Sequence, residues 1–125
     1  MQKIHHARQR ALLASTLLDV LRGFGAAYLR TERFGTHADE LALLAAVFIG
    51  TAEARPMTAG KIAEYAGVAR PSAIRKLDQL ARRGIVEKVG RRYVLPVRVA
   101  NGAAVMRAAD ASRKRIRRAA AAMDG

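Results

Sequence analysis

Arg70, Pro71, Ser72 and Arg75 stand within six positions of one another. Two guanidiniums and a hydroxyl at this spacing suit hydrogen bonding to an anionic, acceptor-rich surface. A guanidinium fork pairs with phosphate oxygens or with the O6/N7 edge of guanine. Pro71 fits the first turn of a helix, where its missing N–H costs nothing. The N-terminus of such a helix adds free backbone amides that favour phosphate. If a helix starts here, its first turn is equipped to face nucleic acid.

The neighbouring residues supply the helices that must hold these groups. Thr58 can cap a short helix that turns Ile62, Ala63 and Ala66 inward. Gly67 is free to take positive φ and end it, and Val68 can plug the joint that follows. Ala73, Leu77 and Leu80 give the second helix a buried face, and Gly84 ends it as Gly67 ends the first. Helix, sharp turn and helix together make a helix-turn-helix unit. Residues 85–97 then hold two strand-like runs, IVEKV and RYVLPV, around Gly90 and Arg91. This hairpin forms a wing with Arg91 and Arg92 at its tip, where a guanidinium can reach a narrow minor groove.

Residues 4–30 favour helix, with Leu13, Leu17, Leu21, Phe24 and Tyr28 along one face. Residues 31–35 break the pattern. Thr36 offers an N-cap with Asp39 three positions on, and the helix behind it carries Leu41, Leu44, Val47 and Phe48 and ends near Ala52. Residues 53–57 read as loop. From Asn101 a last helix repeats Val105, Ala109, Ser112, Ile116, Ala119 and Met123 at alternating four- and three-residue steps, a narrow coiled-coil-like seam. Arg113, Lys114, Arg115, Arg117 and Arg118 surround that seam and read best as the solvated face of a helix. The expected architecture is mainly α, in the order α-α-α-α-β-β-α. Residues 1–125 form a single domain, with a winged helix-turn-helix lobe over 36–97 and helical regions over 1–34 and 101–125. The apolar stripes of the terminal helices need a cover, so Leu13, Leu17, Leu21, Val105 and Ile116 are the expected dimerisation residues.

Composition bounds the function. Lys and Arg number 23 against 10 Asp and Glu, a net charge of +13, which points to a polyanionic partner. There is no cysteine, so disulfides and thiolate sites are excluded. His5, His6 and His37 are badly spaced for a metal cage, and no metal or cofactor is expected. No nucleophile–base–orienter set can be assembled, so no enzymatic activity is expected. No apolar run suggests a membrane span, and no membrane partner is expected.

The stretch GVARPSAIRKLDQLARRGIVEK, residues 67–88, resembles the winged helix-turn-helix of the MarR family of bacterial transcriptional regulators. The matching parts are Gly67, Val68, Arg70, Arg75, Leu77, Asp78, Leu80, Arg83, Gly84, Val86 and Glu87, and the likeness extends over 36–97. Ala69 stands where the family often has serine, Ile74 where a small polar residue is frequent, and Lys76 where an aliphatic residue is frequent. The wing is short, and one helix follows it where many members have two. The resemblance implies that Arg70, Pro71, Ser72 and Arg75 face the major groove and that Gln79 reaches a phosphate. It places Thr58 and Lys61 near the DNA backbone and Arg91 and Arg92 at the wing tip. Ile74 has two readings, core residue or contact to a thymine methyl.

The resemblance further implies a homodimeric, sequence-specific repressor of double-stranded DNA, located in the bacterial cytoplasm with the nucleoid. A small aromatic effector is a further possible partner, with Phe24, Tyr28, Phe34, Phe48 and Tyr65 as candidate lining. Two alternatives stay open: a nonspecific architectural DNA-binding protein, and a winged helix used for protein contacts.

Overall fold

The computed structural model describes residues 2–124. In chain order the elements are α1 (Ala7–Leu29), a 3-10 turn (Phe34–His37), α2 (Ala38–Ala52), β1 (Met57–Thr58), α3 (Ala59–Ala66), α4 (Arg70–Arg82), β2 (Glu87–Val89), β3 (Arg92–Val94), α5 (Val97–Ala100) and α6 (Ala103–Asp124). The mainly helical winged architecture is as expected, with two additions and one correction. The expected loop before Thr58 contains β1, which pairs with β3 so that Met57 lies opposite Tyr93 in a sheet of order β1-β3-β2. Residues after Pro96 coil into the single turn α5 instead of extending the strand. Thr36 does not cap α2. It lies inside the 3-10 turn, and α2 starts at Ala38 with Asp39 and Glu40 in its first turn.

The core is the meeting point of α2, α3, α4 and the sheet. Leu43, Leu44, Ile62, Leu77, Leu80 and Tyr93 are essentially inaccessible there. Polar ties cross this core. The Tyr93 hydroxyl donates to Asp78 at 2.8 Å and links β3 to α4. Burial, with help from Asp78, pushes the Tyr93 phenol up to about 12, so it stays a neutral donor. Thr51 Oγ1 accepts from the Leu95 amide and donates to the Val47 carbonyl, both at 2.9 Å. Gly50 permits the α2–β1 loop to fold back, since a Cβ there would sit 2.9 Å from the Arg55 carbonyl oxygen.

α1 and α6 lie side by side as a two-helix arm. Arg115 donates to Asp19 and to Ser15, each at 3.0 Å, and Gly23 faces Ala108. Arg115, by this hydrogen bond, holds the Asp19 carboxyl below the usual carboxylate range. Val105 and Ala119 are buried. The inward stripe of α6 keeps Val105, Ser112 and Ala119 of the expected heptad seam, but Ala108 and Arg115 take the places expected for Ala109 and Ile116, which stay exposed. The C-terminal half of α1 continues onto the core through Leu21, Phe24, Tyr28 and Leu29. With a mean hydropathy of 1.3 over 18 residues, α1 is long and apolar enough by composition to cross a membrane, which corrects the expectation that no such stretch exists. Leucine and alanine supply that hydropathy around Asp19 and Arg22.

Candidate nucleic-acid interface

The local signals place the helix pair as expected. Thr58 Oγ1 accepts from the Lys61 amide and caps α3. Gly67 ends α3 at φ 69°, and the Val68 amide donates back to the Ala63 carbonyl at 3.0 Å. This αL cap turns the chain sharply, and Val68 packs onto the core beneath the turn. α4 then starts at Arg70 with Pro71 in its first turn. Ala73, Leu77 and Leu80 face inward, while Pro71, Arg75 and Gln79 are exposed and Ser72 is half-buried.

Two side-chain ties orient α4. On one side Asp78 meets Tyr93. On the other, Lys76 Nζ bonds Asp39 at 2.9 Å and Glu40 at 3.1 Å at the start of α2. Those acids, Asp39 first, raise the Lys76 ammonium above its ordinary range. The His37 ring donates Nδ1–H to Glu40 at 2.8 Å, completing the cluster. Lys76 is therefore a strut between helices, which accounts for a lysine where MarR-like sequences favour an aliphatic residue.

Arg70 is exposed but leans toward α3. Its guanidinium lies over Gly60 at the start of α3, with Cζ 3.5 Å from where a glycine Cβ would sit. Arg75 carries no such contact. Among the described residues no carboxylate lies within ion-pair distance of Arg70, Arg75, Lys61, Arg91 or Arg92. These five cations of the helix pair and wing therefore carry no ion-pair partner among the described residues.

At the wing, Val89 pairs with Arg92 across the two-residue loop Gly90-Arg91, with Gly90 at φ 63°. Glycine at the first loop position suits the tight hairpin. Arg91 is exposed at the tip. Arg92 is turned back: its Nη1 donates to the Pro56 carbonyl at 2.7 Å and pins the α2–β1 loop to β3. Position in the hairpin puts both arginines at the tip, but only Arg92 is tied back to the rest of the fold. This tie also exposes a residue the sequence reading passed over. Arg55 lines a concave notch at the wing root together with Thr58, Lys61 and Arg92. Its only sequence signal was a lone arginine before a proline.

Of the residues expected to dimerise, Leu13, Leu17 and Ile116 are exposed, at 57%, 58% and 53%. Leu21 packs against the core, and Val105 is buried within its own chain.

A helix pair with a sharp αL turn, a second helix that bares cations at its start, and a basic three-stranded wing define a winged helix-turn-helix DNA-binding domain. The chain belongs to the family described as the Crp-like helix-turn-helix domain, whose profile matches residues 13–100. It is accordingly a DNA-binding transcription regulator. Comparison with curated proteins and with solved structures gave no match.

Proposed function

We propose that the protein is a homodimeric repressor of MarR-like layout that recognises a pseudo-palindromic duplex site in the bacterial cytoplasm. The observation that carries this reading is the exposed, unneutralised start of α4 above a buried Ala73-Leu77-Leu80 face. A rigidly seated helix with free donors at its N-terminal end is what direct readout of the major groove requires. The exposed Leu13, Leu17 and Ile116 on the two-helix arm support a second copy as cover, since a small domain has little other surface to bury them. Two copies would address half-sites about 34 Å apart, and occupancy over a promoter would block polymerase. Selection of bound duplexes from a random pool, with sedimentation of the free protein, tests this. The expected result is a symmetric enriched motif and a dimer at micromolar concentration. An unenriched pool would favour the architectural alternative, and a monomer would overturn the two-fold arrangement.

An effector belongs to the same reading, with a change in chemistry. The aromatic residues do not gather: Phe48 and Tyr65 are exposed, Phe24 stacks on Tyr28, and Phe34 lies under the Arg22 guanidinium. A cavity of about 610 Å3 opens instead between the end of α1, the Gly84 turn and the start of α6. Arg30, Arg83 and Arg98 line it with no carboxylate, and Arg98 is held by a 2.7 Å bond to the Gly84 carbonyl. Tyr28 also lines the cavity, and burial raises its phenol above the usual range. This lining suits an organic acid and not a neutral ring. Benzoate at millimolar concentration is expected to raise the unfolding temperature of the wild type and not of Arg30→Gln; equal shifts in both would remove the site.

A further inference from the structure

Ile74 is the one large apolar side chain of α4 left exposed, at 40%, while Ala73, Leu77 and Leu80 of the same helix are buried. It is not a core residue. It sits beside Arg75 in the sequence and one helical turn before Asp78, whose carboxylate is already taken by Tyr93. Its neighbours on the exposed side, Pro71, Arg75 and Gln79, surround the part of the helix that faces DNA in the proposed function.

A serine or asparagine at this position could hydrogen-bond a base edge or a phosphate; isoleucine can do neither. The one apolar feature the major groove offers is the C5-methyl group of thymine. A β-branched side chain is stiff at χ1, so it presents a fixed apolar shape on the helix. Burying that shape against a methyl removes both from water, whereas a base without the methyl leaves a gap. Resting on the DNA-binding reading above, we propose that Ile74 reads a thymine methyl in each half-site, next to the base pair reached by Arg75. The recognition helix thereby reads two neighbouring positions by different means, one polar and one apolar.

Uracil differs from thymine only by that methyl, so it isolates the contact. In the duplex enriched by selection, each thymine of a half-site is replaced in turn by uracil, symmetrically in both halves. Affinity is measured for the wild type and for Ile74→Ala. At one position the wild type is expected to lose about fourfold per half-site, the value of roughly one buried methyl. Ile74→Ala, expected to keep the wild-type unfolding temperature because the site is exposed, is expected to bind the thymine and uracil duplexes equally. The proposal is overturned if uracil weakens the wild type at no position, or if Ile74→Ala shows the same loss. Either result leaves sequence-specific binding standing, whereas a pool with no enriched motif overturns both.

Discussion

Replacing Arg75 by alanine is expected to weaken binding of the selected duplex by about 1–3 kcal/mol per half-site, roughly 5- to 150-fold, and to relax preference at one base pair. Arg75 is exposed on α4 and has no carboxylate within ion-pair distance among the described residues. Its guanidinium is free to make a bidentate contact, and the best such partner in the major groove is guanine O6 and N7. Truncation also leaves those acceptors unpaired in a desolvated interface, which enlarges the loss. Arg75→Lys is expected to restore charge but not selectivity, because an ammonium lacks the fork. Salt dependence separates the two possible contacts. A base contact leaves the slope of log K against log salt unchanged, while a phosphate contact lowers it by about 1 and weakens all sequences alike. The second pattern would show that Arg75 anchors the helix without reading a base.

Leu77→Ala is expected to lower stability by about 2–5 kcal/mol, the range for a fully buried leucine. Leu77 is inaccessible and holds the recognition helix down between Ala73 and Leu80. Its removal opens a cavity beneath the helix that carries Arg75, so the loss reaches DNA binding through the unfolded fraction and not through a contact. Denaturant unfolding checks this: the midpoint should fall while m is unchanged. Arg75→Ala serves as the control, since a surface substitution of this kind stays within about 0.5 kcal/mol. A cost below about 1 kcal/mol for Leu77→Ala would mean that α4 is not part of the cooperative core.

These two residues mark what was legible in the sequence. The helix pair could be read because its signals act over a few residues. Thr58 caps α3, Gly67 takes φ 69°, and Pro71 sits in the first turn of α4. Each follows from the covalent freedom or hydrogen-bonding reach of one side chain. The inward placement of Leu77 follows from helical period alone, and the cationic bias from counting charges.

Features that depend on a distant partner were not legible. β1 is two residues long and is a strand only because β3 lies beside it. Arg92 reads as a wing-tip residue, and nothing near it in sequence shows that one of its donors bonds the Pro56 carbonyl, 36 positions away, while the side chain stays exposed. Lys76 gave no sign of the two acids at the start of α2 that hold it. Val105 belongs to an apolar stripe that could have met a second copy, but it is buried within its own chain. The composition and local spacing of this chain point to a basic helix-turn-helix. Which cations are tied to other groups of the chain, and which apolar residues stay exposed, depends on long-range contacts. A side chain's hydrogen bonds and burial go to whichever group the fold brings within reach, and sequence spacing does not encode that distance.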